Sequence, residues 1–180
     1  MKKLFPVLAM AVSLFTATSA IAQNKAEDKS QRPSPPAVVK ETISSGATIT
    51  IDYSQPAVKG RTIGKDLEPK DGEIWRAGAN EATVFETDKA ISIEGKKLNA
   101  GKYAFFIQKK GTDWTLIFNK TWKTWGAYEY EKNKGNDVLK VRVKEKKASS
   151  FAERLTYTIA KDGTISLAWG DKLVSFKAGK

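Results

Sequence analysis

Thr48-Ile49-Thr50-Ile51-Asp52-Tyr53 is the stretch that decides the fold. Successive side chains of an extended chain point to opposite faces, so Ile49, Ile51 and Tyr53 share one face and Thr48, Thr50 and Asp52 the other. The same period of two recurs downstream. Leu139, Val141 and Val143 alternate with Lys140, Arg142 and Lys144; Leu155, Tyr157 and Ile159 with Thr156 and Thr158; Ile165, Leu167 and Trp169 with Thr164, Ser166 and Ala168. Each run describes a strand with one apolar and one wet face, the pattern of antiparallel sheets. Turn signals separate the runs at Ser44-Ser45-Gly46, Glu94-Gly95-Lys96, Lys110-Gly111-Thr112, Lys134-Gly135-Asn136 and Lys161-Asp162-Gly163. Asp162-Gly163 suits a primed two-residue hairpin turn. Residues 55–72, with Pro56, Gly60, Gly64 and Pro69, form the longest irregular connection, and no stretch holds a helical period over three turns. About ten strands in one domain of this size call for two packed layers. The expected fold is all-β, an antiparallel β-sandwich or a flattened barrel.

Upstream of the strands the chain reads as an export leader and a spacer. Lys2 and Lys3 precede an apolar run from Leu4 to Phe15, broken by Pro6 and Ser13, and Ala20-Ile21-Ala22 supplies a small-residue cleavage site before Gln23. Residues 1–22 are therefore expected to be a signal peptide, the apolar run being too short for a comfortable membrane-spanning helix. Residues 23–36 contain no Val, Ile, Leu or aromatic residue and carry Pro33, Pro35 and Pro36, which describes a flexible linker. The sandwich then occupies 37–180, with no transmembrane segment in the mature chain. Its place is the periplasm or the cell exterior.

Composition narrows the chemistry. The 180 residues include 31 Lys and Arg against 20 Asp and Glu, a formal charge of +11. Without the leader, 29 basic and 20 acidic residues leave +9. Cys and His are both absent, which removes thiol nucleophiles, imidazole acid–base catalysis and the usual Zn and Cu ligand sets. The alternating Asp and Asn of a calcium loop and the Gly-rich loop that cradles phosphates are missing too, so neither metal nor cofactor is expected. The surplus Lys is dispersed over turns and wet strand faces. With only five Arg and an export leader, an anionic envelope polysaccharide or another anionic surface is a better partner than nucleic acid.

Several motifs occur in fixed order: Asp52-Tyr53-Ser54-Gln55-Pro56, Trp75-Arg76-Ala77-Gly78-Ala79-Asn80-Glu81-Ala82-Thr83, Gly95-Lys96-Lys97-Leu98-Asn99-Ala100-Gly101-Lys102-Tyr103, Trp114 to Lys120, and Trp125-Gly126-Ala127-Tyr128. On these the chain resembles the domain-of-unknown-function family 2911 over roughly residues 35–176. The resemblance implies an exported β-rich protein of a Gram-negative bacterium with no assigned activity, and it supplies no catalytic residues. The chain departs from the family pattern in two loops, with Asn99 in place of a usual Pro and without an Ile-Pro after the strand at Tyr103–Ile107.

Two groups of residues stand out as candidate binding sites. Thr121-Trp122-Lys123-Thr124-Trp125-Gly126-Ala127-Tyr128 concentrates Trp122, Trp125 and Tyr128 in a loop, where rings can stack on sugars or peptides or else plug an open end of the sandwich. Arg76, Asn80 and Glu81 surround a short loop, with Arg76 and Glu81 expected to face each other at its mouth as a polar cluster or a simple ion pair, and Asn80 suited to a left-handed turn. Tyr103 follows a turn in the manner of a corner tyrosine, and Trp114 and Trp169 alternate with core residues. The reading is an exported, non-catalytic binding or envelope-interaction domain, with carbohydrate the ligand class that an aromatic loop suits. Two alternatives stand beside it: a hydrolase of envelope sugars using two carboxylates among Asp52, Glu73, Glu81 and Glu129, and a structural subunit pairing through a sheet edge.

Overall fold

The computed structural model describes residues 28–180; the leader expected at 1–22 and residues 23–27 of the linker lie outside the described residues. The alternating segments do form strands. They are β1 (Pro36–Thr42), β2 (Thr48–Ser54), β3 (Ile74–Trp75), β4 (Thr83–Thr87), β5 (Ile91–Ile93), β6 (Lys96–Leu98), β7 (Gly101–Lys110), β8 (Asp113–Asn119), β9 (Asp137–Ile159) and β10 (Thr164–Gly179), with one helical turn, α1 (Tyr130–Asn133). All pair antiparallel in the order β1-β2-β4-β7-β8-β9-β10-β5-β6, with β3 added to β7. The path ends at β1 and β6, so the sheet is not closed and a sandwich, rather than a barrel, is the outcome.

One strand makes the sandwich continuous. The first part of β9 pairs with β8, from Asp137↔Asn119 to Lys144↔Asp113, and the rest pairs with β10, from Glu145↔Val174 to Ile159↔Ile165. Register shifts on either side of Gly170 bend the β9–β10 pair, as bulges do. The sheet thus folds over a single main core. Trp114 and Trp169 lie in it, as their alternation requires, together with Phe85, Phe105 and Phe118, whose rings stand 5.1–6.4 Å apart. The Tyr103 hydroxyl donates to the Asn99 carbonyl at 3.0 Å, a corner tyrosine.

The hairpin joining β9 to β10 corrects the expected primed turn. Only Gly163 has positive φ (86°), the Gly163 N–H donates to the Ala160 carbonyl, and the Ala160 N–H to Thr164. This is the longer loop that ends in a left-handed glycine. The site requires glycine because a Cβ would run into the Ala178 carbonyl.

β7 reads as an unbroken apolar run, and the structure shows why. Tyr103, Phe105 and Ile107 face the main core, while Ala104 and Phe106 face the other way and are buried as well. A second, smaller cluster covers that outer face, formed by Ala82, Ala104, Phe106, Ile117 and Tyr130 with Ile74, Trp122 and Ala127 against it. Its cover is the segment between β8 and β9. No helix among the described residues is long and apolar enough to cross a membrane.

Candidate functional site

The segment between β8 and β9 arches over the outer face of the sheet, and its anchors are polar. Asn119, fully buried, donates to the Asn133 carbonyl at 2.8 Å and to Asp137 Oδ1 at 2.7 Å, and its Oδ1 accepts from the Thr121 N–H. The Tyr130 hydroxyl donates to Asp137 Oδ2 at 2.8 Å, and Lys140 Nζ reaches the same oxygen. Burial first, and then the hydrogen bond to Asp137, push the Tyr130 phenol up to about 12, so it stays protonated and donating throughout the physiological range. Tyr130 also packs edge-on against Phe106 at 5.2 Å. Each foot of the arch is thereby fixed to β7, β8 or the start of β9.

The crest of the arch meets the strand-entry loop before β4. Trp125 forms an isolated antiparallel bridge with Glu81, the Ala82 N–H donates to Thr124, and the Gly126 N–H to Asn80, each at 3.0 Å. The two groups singled out in the sequence, 44 residues apart between Glu81 and Trp125, therefore adjoin. Beneath the crest is a cavity of about 400 Å³. Its floor is the outer face of β2 and β4, where Asp52 stands opposite Val84, and its walls include Trp122, Lys123, Trp125 and Glu81.

The linker supplies the remaining wall. Lys29 and Pro36 line the cavity, and Lys29–Gln31 form a short 3-10 turn. Lys29 Nζ bonds Glu81 Oε1 at 2.8 Å, Arg32 Nη1 reaches both Glu81 oxygens at 2.9 and 3.1 Å, and the Arg32 guanidinium lies 5.6 Å from the Trp125 ring centroid. Asn80 Nδ2 donates to the Ser34 carbonyl and to Ser54 Oγ. Among the described residues, contacts with the domain are already made at Lys29, ahead of the boundary read from composition. Ion pairs and hydrogen bonds hold this segment in place without any Val, Ile, Leu or aromatic side chain of its own.

Of the six residues named from the sequence, Trp122, Trp125 and Glu81 line the cavity. Trp122 is half-buried against the outer cluster, with Lys123 and Lys102 at 5.0 and 5.4 Å from its ring, whereas Trp125 is 54% exposed. Arg76, Asn80 and Tyr128 sit behind the crest. Arg76 Nη1 donates to the Asn80 carbonyl at 3.1 Å, and its guanidinium lies 5.9 Å from the exposed Tyr128 ring. Arg76 and Glu81 do not face each other as expected. β3 pairs with β7 instead of β4, and left-handed conformations at Ala77 and Asn80 turn the loop so that Glu81 meets Lys29 and Arg32. The left-handed Asn80 (φ 59°) does match its expected role.

The two carboxylates of the cavity are displaced in opposite directions. Desolvation raises the Asp52 carboxyl above its ordinary value; Lys29 and Lys102 oppose the rise, and the negative charge of Glu81 adds to it. At Glu81 desolvation is likewise the largest influence, yet hydrogen bonds from Lys29, its own backbone N–H and Arg32 outweigh it and hold the carboxyl below its ordinary value. The remaining candidate acids, Glu73 and Glu129, are not among the cavity residues. Among the described residues no group of three or more acidic side chains is arranged to hold a metal ion. Sequence reading missed Lys29 and Arg32 as members of the site. Their one signal was positive charge in a segment with no Val, Ile, Leu or aromatic residue to bury.

A family model described as a protein of unknown function (DUF2911) matches residues 34–178, nearly the whole described chain. The chain belongs to that family. No curated protein and no solved structure matches it.

Proposed function

We propose that this member of a family without assigned activity is an exported, non-catalytic binding domain, acting in the periplasm or outside the cell, whose cavity takes a carbohydrate residue. The observation that carries this reading is the meeting of Trp122 and Trp125 with Asp52 and Glu81 around one opening. An indole presents a flat apolar face on which the C–H face of a sugar ring stacks, and carboxylates accept hydrogen bonds from its hydroxyls. The cavity volume falls within the about 300–1,000 Å³ range of small-molecule sites. Lys29 and Lys123 at the rim supply donors that fix orientation.

The test is a panel of envelope-type oligosaccharides titrated against the wild-type chain and against Trp125→Ala and Trp122→Ala. Trp125 is the sharper probe because it is exposed and its removal leaves the outer cluster intact. Loss of at least about tenfold in affinity, about 1.4 kcal/mol, is expected for Trp125→Ala. Absence of wild-type binding across the panel, or equal binding by both variants, rejects the reading.

One observation favours a second reading, the carboxylate hydrolase. Asp52 and Glu81 share the cavity, one carboxyl raised and the other lowered, which is how an acid and a carboxylate are separated for glycoside chemistry. Its test is release of reducing ends from any bound glycan. Turnover by wild type that Asp52→Asn abolishes would replace the binding-only reading.

A further inference from the structure

A second feature lies on the same outer face, three strands away from the cavity floor at about 14 Å. The wet face of β9 carries Lys140, Arg142, Lys144 and Lys146 in an unbroken row, all exposed. Alternate residues of a strand stand about 6.8 Å apart, so the four cations follow one another over about 20 Å of strand. Across the ladder on β8 they face Ile117, Thr115 and Asp113, so one acid opposes the row. Lys140 is paired with Asp137 and Lys144 with Asp113. Arg142 and Lys146 have no carboxylate within ion-pair distance among the described residues. A shallow cavity of about 350 Å³ runs beside them, with Arg142, Lys144, Lys146, Ser175 and the two acids Asp113 and Glu94 among its lining residues. At the other end Lys96 extends its amine to the Lys140 carbonyl and adds a fifth cation.

We propose that this row is a binding surface for a linear, carboxylate-bearing polysaccharide, separate from the aromatic cavity. A polyanion chain laid along β9 would place successive carboxylates against cations of fixed spacing. The Arg142 guanidinium, with no ion-paired acid among the described residues, offers the planar fork that matches a carboxylate. The shape of the row selects a chain over a membrane surface. The cations form a single file flanked by Asp113 and Glu94, whereas a planar anionic bilayer would press those acids against its own charge. The surface needs neither tryptophan, so its fate is independent of the cavity.

The experiment measures affinity of the purified chain for polygalacturonate across a series of salt concentrations. Dextran serves as the uncharged control, and vesicles of phosphatidylglycerol in phosphatidylcholine as the membrane control. Wild type is expected to bind polygalacturonate but not dextran, weakening linearly in log–log form as counterions are released. Arg142→Ala/Lys146→Ala should lose at least tenfold at low salt and flatten the salt slope by about one to two units. Lys132→Ala/Lys161→Ala removes the same charge from exposed positions off the row and should bind like wild type. Absence of polygalacturonate binding at low salt overturns the proposal. So does an equal loss in the two double variants, or binding to vesicles without binding to the polysaccharide.

Discussion

Gly126→Ala tests whether the arch is built as described. Gly126 has φ 67°, a left-handed conformation that costs an L residue about 1–2 kcal/mol. A Cβ there would stand 2.6 Å from Arg76 Nη1 and 2.9 Å from Tyr128 Cε2, so both side chains would have to move. Moving them forfeits the Arg76–Tyr128 stack, worth about 0.5–1 kcal/mol at an exposed site, and strains the Arg76 bond to the Asn80 carbonyl, worth about 1 kcal/mol. The narrower unfolded ensemble of alanine returns about 0.4–1 kcal/mol. The net expectation is a loss of about 2 kcal/mol, which in a domain of this size lowers the melting temperature by about 4–8 °C. Gly135→Ala is the matched control in the same segment, since Gly135 lacks positive φ and nothing lies within 4 Å of its added methyl group. Thermal unfolding by circular dichroism, with tryptophan fluorescence following the arch, reads both variants. A Gly126→Ala chain that melts within about a degree of wild type and of Gly135→Ala would refute the conformation assigned to the crest.

Tyr103→Phe removes the hydroxyl bonded to Asn99 and should cost about 0.5–1.5 kcal/mol, seen as a lower urea midpoint at unchanged slope. Asp52→Asn should stabilise the fold at neutral pH, because a carboxyl raised above its ordinary value penalises folding wherever it is ionised. That advantage should vanish as pH falls through the raised value toward about 3.8, which urea melts from pH 7 to pH 3 would follow. Glu81→Gln should do the reverse: a carboxyl lowered below its ordinary value of 4.5 stabilises above that pH and loses the contribution as pH falls below it. Equal pH profiles for the two variants would contradict the opposite environments of the pair.

Much of the fold was legible because one physical signal, two-residue alternation, holds wherever a strand has one buried face. It failed in β9. Leu139 to Val143 and Leu155 to Ile159 read as two strands because Glu145 to Arg154 carries no apolar alternation, yet all are one 23-residue strand. The middle of β9 passes around the edge of the sandwich, where neither face meets the core, and so its side chains record no inside or outside. β7 failed in the opposite direction. Its Tyr103–Ile107 run shows no alternation because the arch buries the outer face as completely as the core buries the inner one.

The site was legible in pieces and not as a whole, for a reason that bears on its chemistry. Trp122, Trp125 and Tyr128 stood out as large rings in a loop, and Glu81 as a charge beside a turn, but the contact between Glu81 and Trp125 is a lone bridge, too short to leave a pattern in either segment. Asp52 was harder still, since an acid on the wet face of a strand is ordinary until it lines a cavity and desolvation raises its carboxyl. What converts these ordinary residues into a site is the arch, held by Asn119, Tyr130 and Asp137 at distances from the cavity that no local spacing encodes. If the cavity binds the proposed sugar, variants of those three residues should therefore disturb that binding while touching no ligand. Tyr130→Phe is the mildest of them: it keeps the ring against Phe106 and removes the donor to Asp137 alone. Weaker binding by Tyr130→Phe, with Trp125 fluorescence altered and the core melting almost as in wild type, would place control of the cavity in the feet of the arch. Unchanged binding would mean that the crest contacts of Asn80, Glu81 and Ala82 hold the aromatic wall on their own.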